Sequence, residues 1–446
     1  MKIVLISTYE LGRQPFGLAS PAAWLRAEGH DVTCADLACG PLLRAPVSEA
    51  DLVAFYLPMH TATRLAVQAL DRVRSLNAHA HLCCYGLYAP MNEGYLRELG
   101  IQTILGGEFE QGLRDLARRL AAGSNGGQRE ALISLERQQF LLPDRSGLPS
   151  LSHYARLLVS GEEKVTGYTE ASRGCKHLCR HCPVVPVYNG TFRIVQRDVV
   201  LEDIRRQVAA GAQHITFGDP DFFNGPGHAM ALVEDFHAKH RGLTYDVTIK
   251  IEHLLENRGL LAGLKRTGCL FVTSAVESID DAVLEKLAKG HTRGDFIEVV
   301  RIMRETGLTL APTFVTFTPW TTVESYRELL KLLVDLDLVG NVGPIQLAIR
   351  LLIPAGSLLL ELDDIREIVE AFDPAGLCYK WSHSDLSLDR LCADLQKMIQ
   401  REERQKATRA EIFTKIWAMA HADSAPPDFH LTSRAAIPYL NEPWYC

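Results

Sequence analysis

The chain has 446 residues, of which 47% are hydrophobic and 23% are charged. This ordinary globular composition excludes a disordered chain, a coiled coil and a collagen-like fibre. The formal net charge is -7, and the sequence shows no basic stripe of the kind that binds nucleic-acid phosphates. It shows no signal peptide and no apolar run of the roughly 18 residues that a membrane span requires. We therefore expect a cytoplasmic protein that binds neither membranes nor nucleic acids.

Residues 1–121 alternate short apolar strands with amphipathic helices. The predicted strands are residues 2–7, 32–35, 52–57, 81–85 and 102–105, and the predicted helices include 20–28, 61–76 and 110–121. This alternation is typical of a doubly wound parallel sheet, so we expect a Rossmann-like or flavodoxin-like domain in an α/β protein. Thr8-Tyr9-Glu10-Leu11-Gly12 follows the first strand where a nicotinamide-binding domain would have G-x-G-x-x-G, so a nicotinamide site is not indicated.

A second alternation follows a break in the pattern. Residues 122–164 contain Gly, Ser and Pro clusters and are predicted to be a linker with one helix near 129–139. Strands are then predicted at 165–169, 214–217, 246–251, 270–275, 308–314 and 345–351, with helices between them. These repeats predict a partial (β/α)6 barrel over 165–360, whose chemistry lies at the carboxyl ends of its strands. Residues 361–446 are predicted to form a mixed C-terminal extension with helices near 363–372 and 387–401.

Three of the eleven cysteines lie within eight residues, directly after the first strand of the second alternation: Cys175, Cys179 and Cys182. An odd count in a reducing compartment argues against a disulfide framework. Thiolates are soft ligands that suit iron–sulfur clusters and zinc, and three of them leave one iron of a four-iron cluster open to a small molecule. The alternatives are a structural zinc site with His177 or His181 as the fourth ligand, and cysteines that bind no metal.

The C-x-x-x-C-x-x-C spacing in the loop after the first barrel strand resembles the radical SAM superfamily. The resemblance implies a 4Fe-4S cluster on the three cysteines, S-adenosyl-L-methionine (SAM) on the open iron, and reductive cleavage of SAM to a 5′-deoxyadenosyl radical. It also implies a small-molecule or peptide substrate and a one-electron reductant such as flavodoxin or ferredoxin. The family often has an aromatic residue where His181 stands here. We expect three basic residues to favour the thiolates and to offset the charge of the cluster: Arg173, Lys176 and Arg180.

Other residues at the ends of the barrel strands match positions that hold SAM in this family. The resemblance implies that SAM contacts Gly218, Asp219, Asp221, Glu277, Ser278 and Arg350. Each assignment has a structural alternative: a turn at the Asp219-Pro220 pair, a helix N-cap at the serine, and an ion pair with a core acid for the arginine. The sequence names no catalytic residue.

Residues 11–32 resemble the start of cobalamin-binding domains that are fused ahead of radical SAM barrels, and residues 106–108 fit the same class. The Asp-x-His-x-x-Gly motif, whose histidine ligates cobalt, is absent, so the alternative is a degenerate domain that caps the barrel or binds substrate. The implied cobalamin contacts are Thr8, Tyr9, Leu57, Tyr85, Gly86 and Gly106. Cobalamin would permit methylation of an unactivated carbon. The alternatives are a cobalamin-independent rearrangement or C–S bond formation, and a non-catalytic iron–sulfur or cobalamin-binding sensor.

The last residues, from Leu440 to Cys446, resemble the end of radical SAM proteins named for a Cys-Cys-Ala-Glu-Pro or Cys-Sec-Ala-Glu-Pro tail. The resemblance implies that the chain continues past Cys446 through a selenocysteine codon, and the alternative is a natural C-terminal cysteine. Translating the codons that follow Cys446 tests this, because a continuation other than Ala-Glu-Pro contradicts it.

Overall fold

The structure is a computed structural model that describes residues 1–123, 129–422 and 427, and the backbone of residues 439 and 440. The expectation for the tail falls on residues 441–446, which lie outside the described residues. No helix in the described ranges combines the length and the apolar character that a membrane span requires.

The first sheet contains six parallel strands: β1 (Lys2–Ser7), β2 (Asp31–Asp36), β3 (Leu52–Tyr56), β4 (His81–Tyr85), β5 (Thr103–Gly107) and β6 (Ile133–Ser134). Their spatial order is β2-β1-β3-β4-β5-β6, so strand addition reverses its direction beside β1. The loops that leave the strands at such a reversal form a crevice at the carboxyl edge of the sheet. The doubly wound N-terminal sheet predicted from the sequence is confirmed.

Helices cover both faces of this sheet: α1 (Phe16–Ala27), α2 (Arg44–Ser48), α3 (His60–Leu76), α4 (Tyr88–Met91), α5 (Glu93–Glu98) and α6 (Phe109–Ala121). Side chains of β1 enter two cores in alternation. Val4 and Ile6 pack on one face, and Ile3 and Leu5 pack on the other. All four are buried, as expected for a parallel strand that is covered on both sides.

The helix predicted near residues 129–139 is wrong. That stretch contains β6, which pairs with β5 and extends the first sheet. Arg119 of α6 holds the incoming chain through an ion pair of 2.8 Å with Glu130. The open edge of β5 supplies hydrogen-bond partners along this stretch, whereas an isolated short helix is only marginally stable.

The next strands along the chain are β7 (Arg156–Val159), β8 (Glu162–Thr169), β9 (Ser172–Gly174), β10 (Phe192–Ile194), β11 (His214–Phe217), β12 (Thr244–Thr248), β13 (Cys269–Glu277) and β14 (Thr309–Phe314). Five of them form a curled parallel sheet in the order β14-β13-β12-β11-β8. β7 pairs antiparallel with β8, and β9 and β10 form a separate pair. The predicted partial barrel is confirmed.

The helices that accompany this sheet are α7 (Val185–Tyr188), α8 (Arg197–Ala209), α9 (Pro226–Lys239), α10 (Ile251–Glu256), α11 (Leu261–Arg266), α12 (Asp281–Lys286), α13 (Arg293–Thr306) and α14 (Val323–Asp335). The sixth barrel position differs from the strand predicted at 345–351. It is a 3-10 helix over Pro344–Ala348, followed by one parallel bridge between Phe317 and Arg350. A short buried apolar run fits a strand and a helical turn equally well, so the sequence pattern did not distinguish them.

The C-terminal extension contains α15 (Asp363–Arg366), β15 (Val369–Asp373), β16 (Cys378–Trp381), α16 (Leu386–Arg404), α17 (Arg409–Ala420) and β17 (Tyr439–Leu440), which pairs with β7. The helix predicted over 363–372 is wrong beyond Arg366, because β15 and β16 form a hairpin there. Leu395, Ile399 and Ile416 of the two long helices join the core of the barrel. The extension therefore packs on the barrel.

Candidate active site

The three clustered cysteines lie in one loop at the carboxyl end of β8. Gly174 begins the loop with a φ of 74°, and a Cβ atom there would lie 2.4 Å from both Thr191 O and Tyr188 Cδ1. Only glycine fits this close, left-handed position. Asn224 holds the loop from the next strand, because its Oδ1 accepts from Lys176 N at 3.0 Å and its Nδ2 donates to Gly174 O at 3.2 Å.

The cysteine loop shields its thiols from water. Cys179 is buried, and Cys175 and Cys182 are partly buried against the apolar side chains of Val184 and Val187. Burial raises the pKa of Cys175 to about 11 and that of Cys182 to about 12. Burial therefore favours the protonated form of these two thiols, and metal binding must displace their protons. Three thiols on one short, braced loop fit a cluster that takes three protein ligands.

A group of polar side chains adjoins Cys175. Ligand atoms of Cys175, His177 and Asp221 lie within 4.8 Å of one another. The Asp221 Oδ1 atom accepts from Phe223 N at 3.0 Å, and Oδ2 lies 2.8 Å from His253 Nδ1 and 3.6 Å from His177 Nε2. The carboxylate oxygen lies at ion-pair distance from both rings, but none of these last three buried atoms makes a hydrogen bond of regular geometry. Orphaned polar atoms that converge on one point indicate the position of a polar ligand.

Glu277 closes the opposite side of the loop. This non-glycine residue has a φ of 68°, a sparsely populated conformation that is concentrated at functional sites. Its Oε1 lies 3.1 Å from His181 Nε2 and 3.5 Å from Lys289 Nζ. Burial alone would raise the pKa of Glu277, but Lys289 and His181 outweigh it and lower that pKa to about 2. Glu277 is thus a buried carboxylate that stays ionised beside the third cysteine.

Three of the residues expected to hold SAM have structural roles in the fold. The Asp219 carboxylate accepts from Ala171 N at 2.9 Å and from Ser172 Oγ at 2.5 Å, so it braces the entry to the cysteine loop. Ser278 Oγ accepts from Asp280 N at 3.1 Å, and Asp280 rather than Ser278 caps α12. Gly218 makes room for Tyr168, because a Cβ atom there would lie 1.8 Å from the tyrosine oxygen.

Gly218→Ala is expected to destabilise the protein by about 1–3 kcal/mol, because the new methyl group overlaps a buried tyrosine. Gly227→Ala is the matched control, since a Cβ atom there meets nothing within 4 Å and the position is helical. The control should be neutral or up to about 1 kcal/mol more stable. Thermal unfolding of the two variants tests this, and an unchanged Tm for Gly218→Ala contradicts it.

Arg350 is turned away from the cysteine loop. Its guanidinium pairs with Asp389, donates to Trp381 O at 2.6 Å and lies 3.5 Å from the centre of the Trp381 ring. These contacts place it in the junction between the barrel and the C-terminal extension. The expected carboxylate clamp therefore needs correction, and the observed partner is a partly exposed acid rather than the core acid that the sequence left open as the alternative.

The carboxyl edge of the first sheet faces the same region. Three buried polar atoms at the end of β1 and in the loop after it have no hydrogen-bond partners: Ser7 Oγ, Glu10 Oε2 and Arg13 Nε. Burial raises the pKa of Glu10 well above its usual range, so the surroundings disfavour the charged form of its carboxyl group. The loop touches the barrel, since Ala155 N donates to Gly12 O at 2.8 Å and the guanidinium of Arg13 lies 4.9 Å from the Tyr168 ring. Such orphaned atoms at a strand-order reversal fit a site for a bound group.

Most residues expected to contact cobalamin are buried inside this sheet. Thr8 Oγ1 donates to Ala62 O at 2.7 Å, and Tyr85 Oη donates to Gly17 O at 2.8 Å. Leu57 and Tyr9 are also buried, and a Cβ atom on Gly106 would lie 2.5 Å from the Pro90 ring. Gly86 has a φ of 109° and lies against Leu57 O. These residues form the carboxyl edge of the first sheet. The buried polar atoms without hydrogen-bond partners belong instead to Ser7, Glu10 and Arg13.

A buried ionic cluster joins this edge to the cysteine loop. The Arg173 guanidinium lies 2.7 Å from carboxylate oxygens of both Glu110 and Glu170, and 3.5 Å from Glu108. Its charge is therefore engaged by carboxylates, which corrects the expectation that it offsets the charge of a cluster. Tyr188 donates to Glu108 Oε1 at 3.0 Å.

Glu108→Gln is expected to change the pH dependence of stability. Burial raises the pKa of Glu108 to about 7, so between pH 4.5 and 7 the native state binds a proton that the unfolded chain has released. Stability is lost as the pH rises through this window, by at most about 3 kcal/mol. The variant should match the wild type near pH 4.5 and exceed it at pH 8, as measured by urea unfolding.

Glu130→Gln is the control for that measurement. Burial opposes ionisation of Glu130, but its hydrogen bond with Arg119, a backbone hydrogen bond and the charge of Arg119 together outweigh burial and lower its pKa. The ionised Glu130 therefore stabilises the fold at pH values above the pKa that this residue has in the unfolded chain. Glu130→Gln should be less stable than the wild type at pH 8. An effect of Glu108→Gln that is equal at both pH values contradicts the assignment.

Among known protein families, residues 169–333 match the one described as "Radical SAM superfamily". This segment begins at the end of β8 and includes the cysteine loop, Asp221 and Glu277. Residues 169–333 form a radical SAM domain. The resemblance drawn from the cysteine spacing is confirmed, and the barrel is the expected scaffold for such a site.

Two curated proteins are similar to this chain over part of their length. The hopanoid C-3 methylase of Methylococcus capsulatus is 24% identical over 320 residues, which cover 69% of this chain and 62% of that protein. The tRNA-2-methylthio-N(6)-dimethylallyladenosine synthase of Desulfosudis oleivorans is 25% identical over 179 residues, or 38% of each protein. The chain therefore spans less than two thirds of the length of these relatives.

Two solved structures extend the likeness beyond the radical SAM domain. OxsB, a cobalamin-dependent S-adenosylmethionine radical enzyme with aqua-cobalamin and SAM bound, has a TM-score of 0.67 at 14% identity and covers 90% of this chain and 66% of its own. TsrM, a radical SAM methyltransferase from Kitasatospora setae with tryptophan and aza-SAM bound, has a TM-score of 0.63 at 17% identity and covers 85% of this chain and 82% of its own. At these identities the likeness shows a shared fold.

Sequence reasoning gave no SAM-site role to His177 or His253, whose ring centres are 4.5 Å apart. A signal existed for His177, which lies between the first two cysteines of the radical SAM motif. His253 approaches only because α10 brings it across the barrel mouth to Asp221. Glu10 and Arg13 were missed for a similar reason, since their isolation from partners is a property of the packed interface.

Proposed function

We propose that the chain is a cobalamin-dependent radical SAM enzyme that methylates an unactivated carbon of a small-molecule or peptide substrate. One observation carries the proposal: the cysteine loop with its orphaned polar atoms lies at the carboxyl end of β8, against the carboxyl edge of the first sheet. A site for SAM on a cluster and a site for cobalamin would then share one interface. The likeness to cobalamin-dependent radical SAM enzymes supports this arrangement.

The proposed cofactor ligands follow from the donor sets. Cys175, Cys179 and Cys182 would hold a 4Fe-4S cluster, and the loop after β1 would line the cobalamin site. When bound, these cofactors and SAM supply a carbon-centred radical that takes hydrogen from an unactivated carbon, and a methyl group. A one-electron reductant of the flavodoxin or ferredoxin type is required to start each turnover.

Asp221 and Glu277 would bind the two ends of SAM. The free Oδ2 of Asp221 is suited to accept from the ammonium group of the methionine moiety, because charge-assisted hydrogen bonds are strong in a buried pocket. Glu277 is kept ionised by Lys289 and can accept from ribose hydroxyls. Ser278 keeps its place in this proposed site only as the residue that shapes the turn after Glu277.

The packing around these residues would exclude water from the reactive centre. Cys179, Asp221 and Glu277 are each less than a tenth exposed. His177 and His253 flank the Asp221 carboxylate, whose direction is set by the hydrogen bond that its Oδ1 accepts from Phe223 N. Exclusion of water protects a radical from quenching and strengthens every charged contact in the site.

Anaerobic reconstitution tests the proposed function. The chain is loaded with iron, sulfide and hydroxocobalamin, freed of excess by gel filtration, reduced with dithionite and supplied with SAM. We expect retained iron and cobalt and the formation of 5′-deoxyadenosine. Zinc without iron contradicts the cluster, whereas iron and cobalt without SAM cleavage would favour a sensor. SAM cleavage without cobalt would favour a cobalamin-independent rearrangement or C–S bond formation.

A further inference from the structure

We infer that Arg173 is a positioning residue that fixes the cysteine loop against the carboxyl edge of the first sheet and couples the SAM and cobalamin sites. This inference rests on the proposed function. Nothing in the cysteine spacing requires an arginine at this position. The inference comes from the contacts of the Arg173 side chain, which join two parts of the fold that are far apart in sequence.

The guanidinium of Arg173 is held on all its donor edges. Nη2 and Nη1 donate to the two oxygens of Glu110 at 2.7 and 2.9 Å, and Nε donates to Glu170 at 2.7 Å. Glu108 Oε2 lies 3.5 Å from Nη1. Arg173 and its three acidic partners are all at least nine-tenths buried. A bidentate pair of this kind fixes orientation as well as distance.

Three aromatic rings surround the same guanidinium. The centroid of the Phe16 ring lies 5.7 Å from its central carbon, and those of Phe109 and Phe140 lie at 5.0 Å. The rings come from α1, from α6 and from the segment that leads to the barrel. Planar stacking and fork-like hydrogen bonding both require arginine, so lysine is not an equivalent residue here.

The partners of Arg173 lie next to the two proposed cofactor sites. Glu108 and Glu110 directly follow Gly107, the last residue of β5 at the carboxyl edge of the first sheet. Arg173 precedes Cys175 by two residues. Gly174 lies between Arg173 and Cys175, and Tyr188 packs against this glycine and donates to Glu108. The turn therefore links the position of Arg173 to that of Cys175. A displacement of the β5–α6 edge therefore moves the first cysteine.

The charges around Arg173 indicate a positioning role in addition to a stabilising contact. Three carboxyl groups share one guanidinium in a buried space, and such groups are costly to bury compared with apolar side chains of similar size. A joint that only fastened two surfaces could be apolar. A directional ionic joint resists rotation and sliding, which are the motions that would separate two facing cofactors.

The test measures whether cobalamin changes the affinity for SAM. The Kd of SAM is determined by equilibrium dialysis on the iron–sulfur protein, with and without saturating hydroxocobalamin. When two sites in a protein are coupled, the ligand of one site typically changes the affinity of the other by roughly 5- to 150-fold. We expect the two Kd values, with and without hydroxocobalamin, to differ by a ratio of about 10 in the wild type and of less than about 2 in Arg173→Lys. The iron content should be unchanged.

Arg119→Lys is the matched control. Arg119 makes the same bidentate contact with Glu130, but both residues lie beside the first sheet, away from the cysteine loop. It removes a bidentate arginine–carboxylate contact of the same kind and should keep the ratio of the wild type. Glu110→Gln serves if Arg173→Lys does not fold, because the amide oxygen still accepts from Ser20 and Arg173 while one charge is removed.

The outcomes separate this inference from the proposed function. If iron, SAM and hydroxocobalamin all bind but the ratio is 1 in the wild type, or is the same in Arg173→Lys as in Arg119→Lys, the coupling role of Arg173 is overturned while the proposed function stands. If hydroxocobalamin does not bind at all, the proposed function fails first and the inference falls with it.

Discussion

Replacing Cys179 with Ala should reduce the iron content of the reconstituted protein to less than half and abolish 5′-deoxyadenosine formation, by at least about 100-fold. Cys179 is the most buried of the three loop cysteines, and Cys182 N donates to its carbonyl oxygen at 3.1 Å, so its thiol belongs to the braced part of the loop. A four-iron cluster with two remaining protein ligands loses the geometry that leaves a single iron open for SAM.

Cys392→Ala is the control for this experiment. Cys392 is equally buried, but it lies in α16, where its thiol contacts Ala348 O. The control should keep about four irons per chain and the activity of the wild type. Equal loss of iron in both variants would mean that cysteine removal destabilises the chain in general, and normal iron in Cys179→Ala would contradict the assigned ligand set.

Asp221→Asn should weaken SAM binding by roughly 10- to 150-fold, since a hydrogen bond to a charged group contributes about 1.5–3 kcal/mol. The substitution is informative because asparagine retains the oxygen that accepts from Phe223 N and so keeps the local turn. It removes the negative charge that faces His177 and His253. The Kd of SAM is measured by equilibrium dialysis on the iron–sulfur protein, and 5′-deoxyadenosine formation should fall with it.

Asp235→Asn provides the comparison. Asp235 is an exposed residue of α9 that pairs with Arg197, so its loss should leave the Kd of SAM unchanged. If Asp221→Asn binds SAM as tightly as this control, the orphaned oxygen of Asp221 does not face the ammonium group, and the SAM site must be reassigned.

The strands and the cysteine loop could be predicted from the sequence because each is formed by residues that are close together along the chain. β1, β4 and β11 have the predicted bounds, since each is a short apolar run that ends at a polar residue or a glycine. The cysteine loop was equally local, with its three thiols inside eight residues. Such features depend on neighbours in sequence, and these are what hydrophobic periodicity and motif spacing report.

The remaining features depend on residues that meet only in the folded chain. Arg173 and Glu110 are separated by 63 positions, and Arg350 meets Asp389 across 39. β6 forms because β5 offers an open edge, although its own residues have a helical pattern. The orphaned oxygen of Asp221 could be identified only after its other oxygen was seen to cap a turn. Sequence spacing does not encode these relations.

SAM with a deuterated methyl group gives the most direct test of the central claim, that one chain holds a cluster with SAM and cobalamin in a single active site. The reconstituted protein is reduced and incubated with this SAM, and the products and the cobalamin released from the protein are analysed by mass spectrometry. We expect 5′-deoxyadenosine together with cobalamin that carries the labelled methyl group. Loss of cobalt during gel filtration, or cobalamin that stays unlabelled while SAM is cleaved, would contradict the claim.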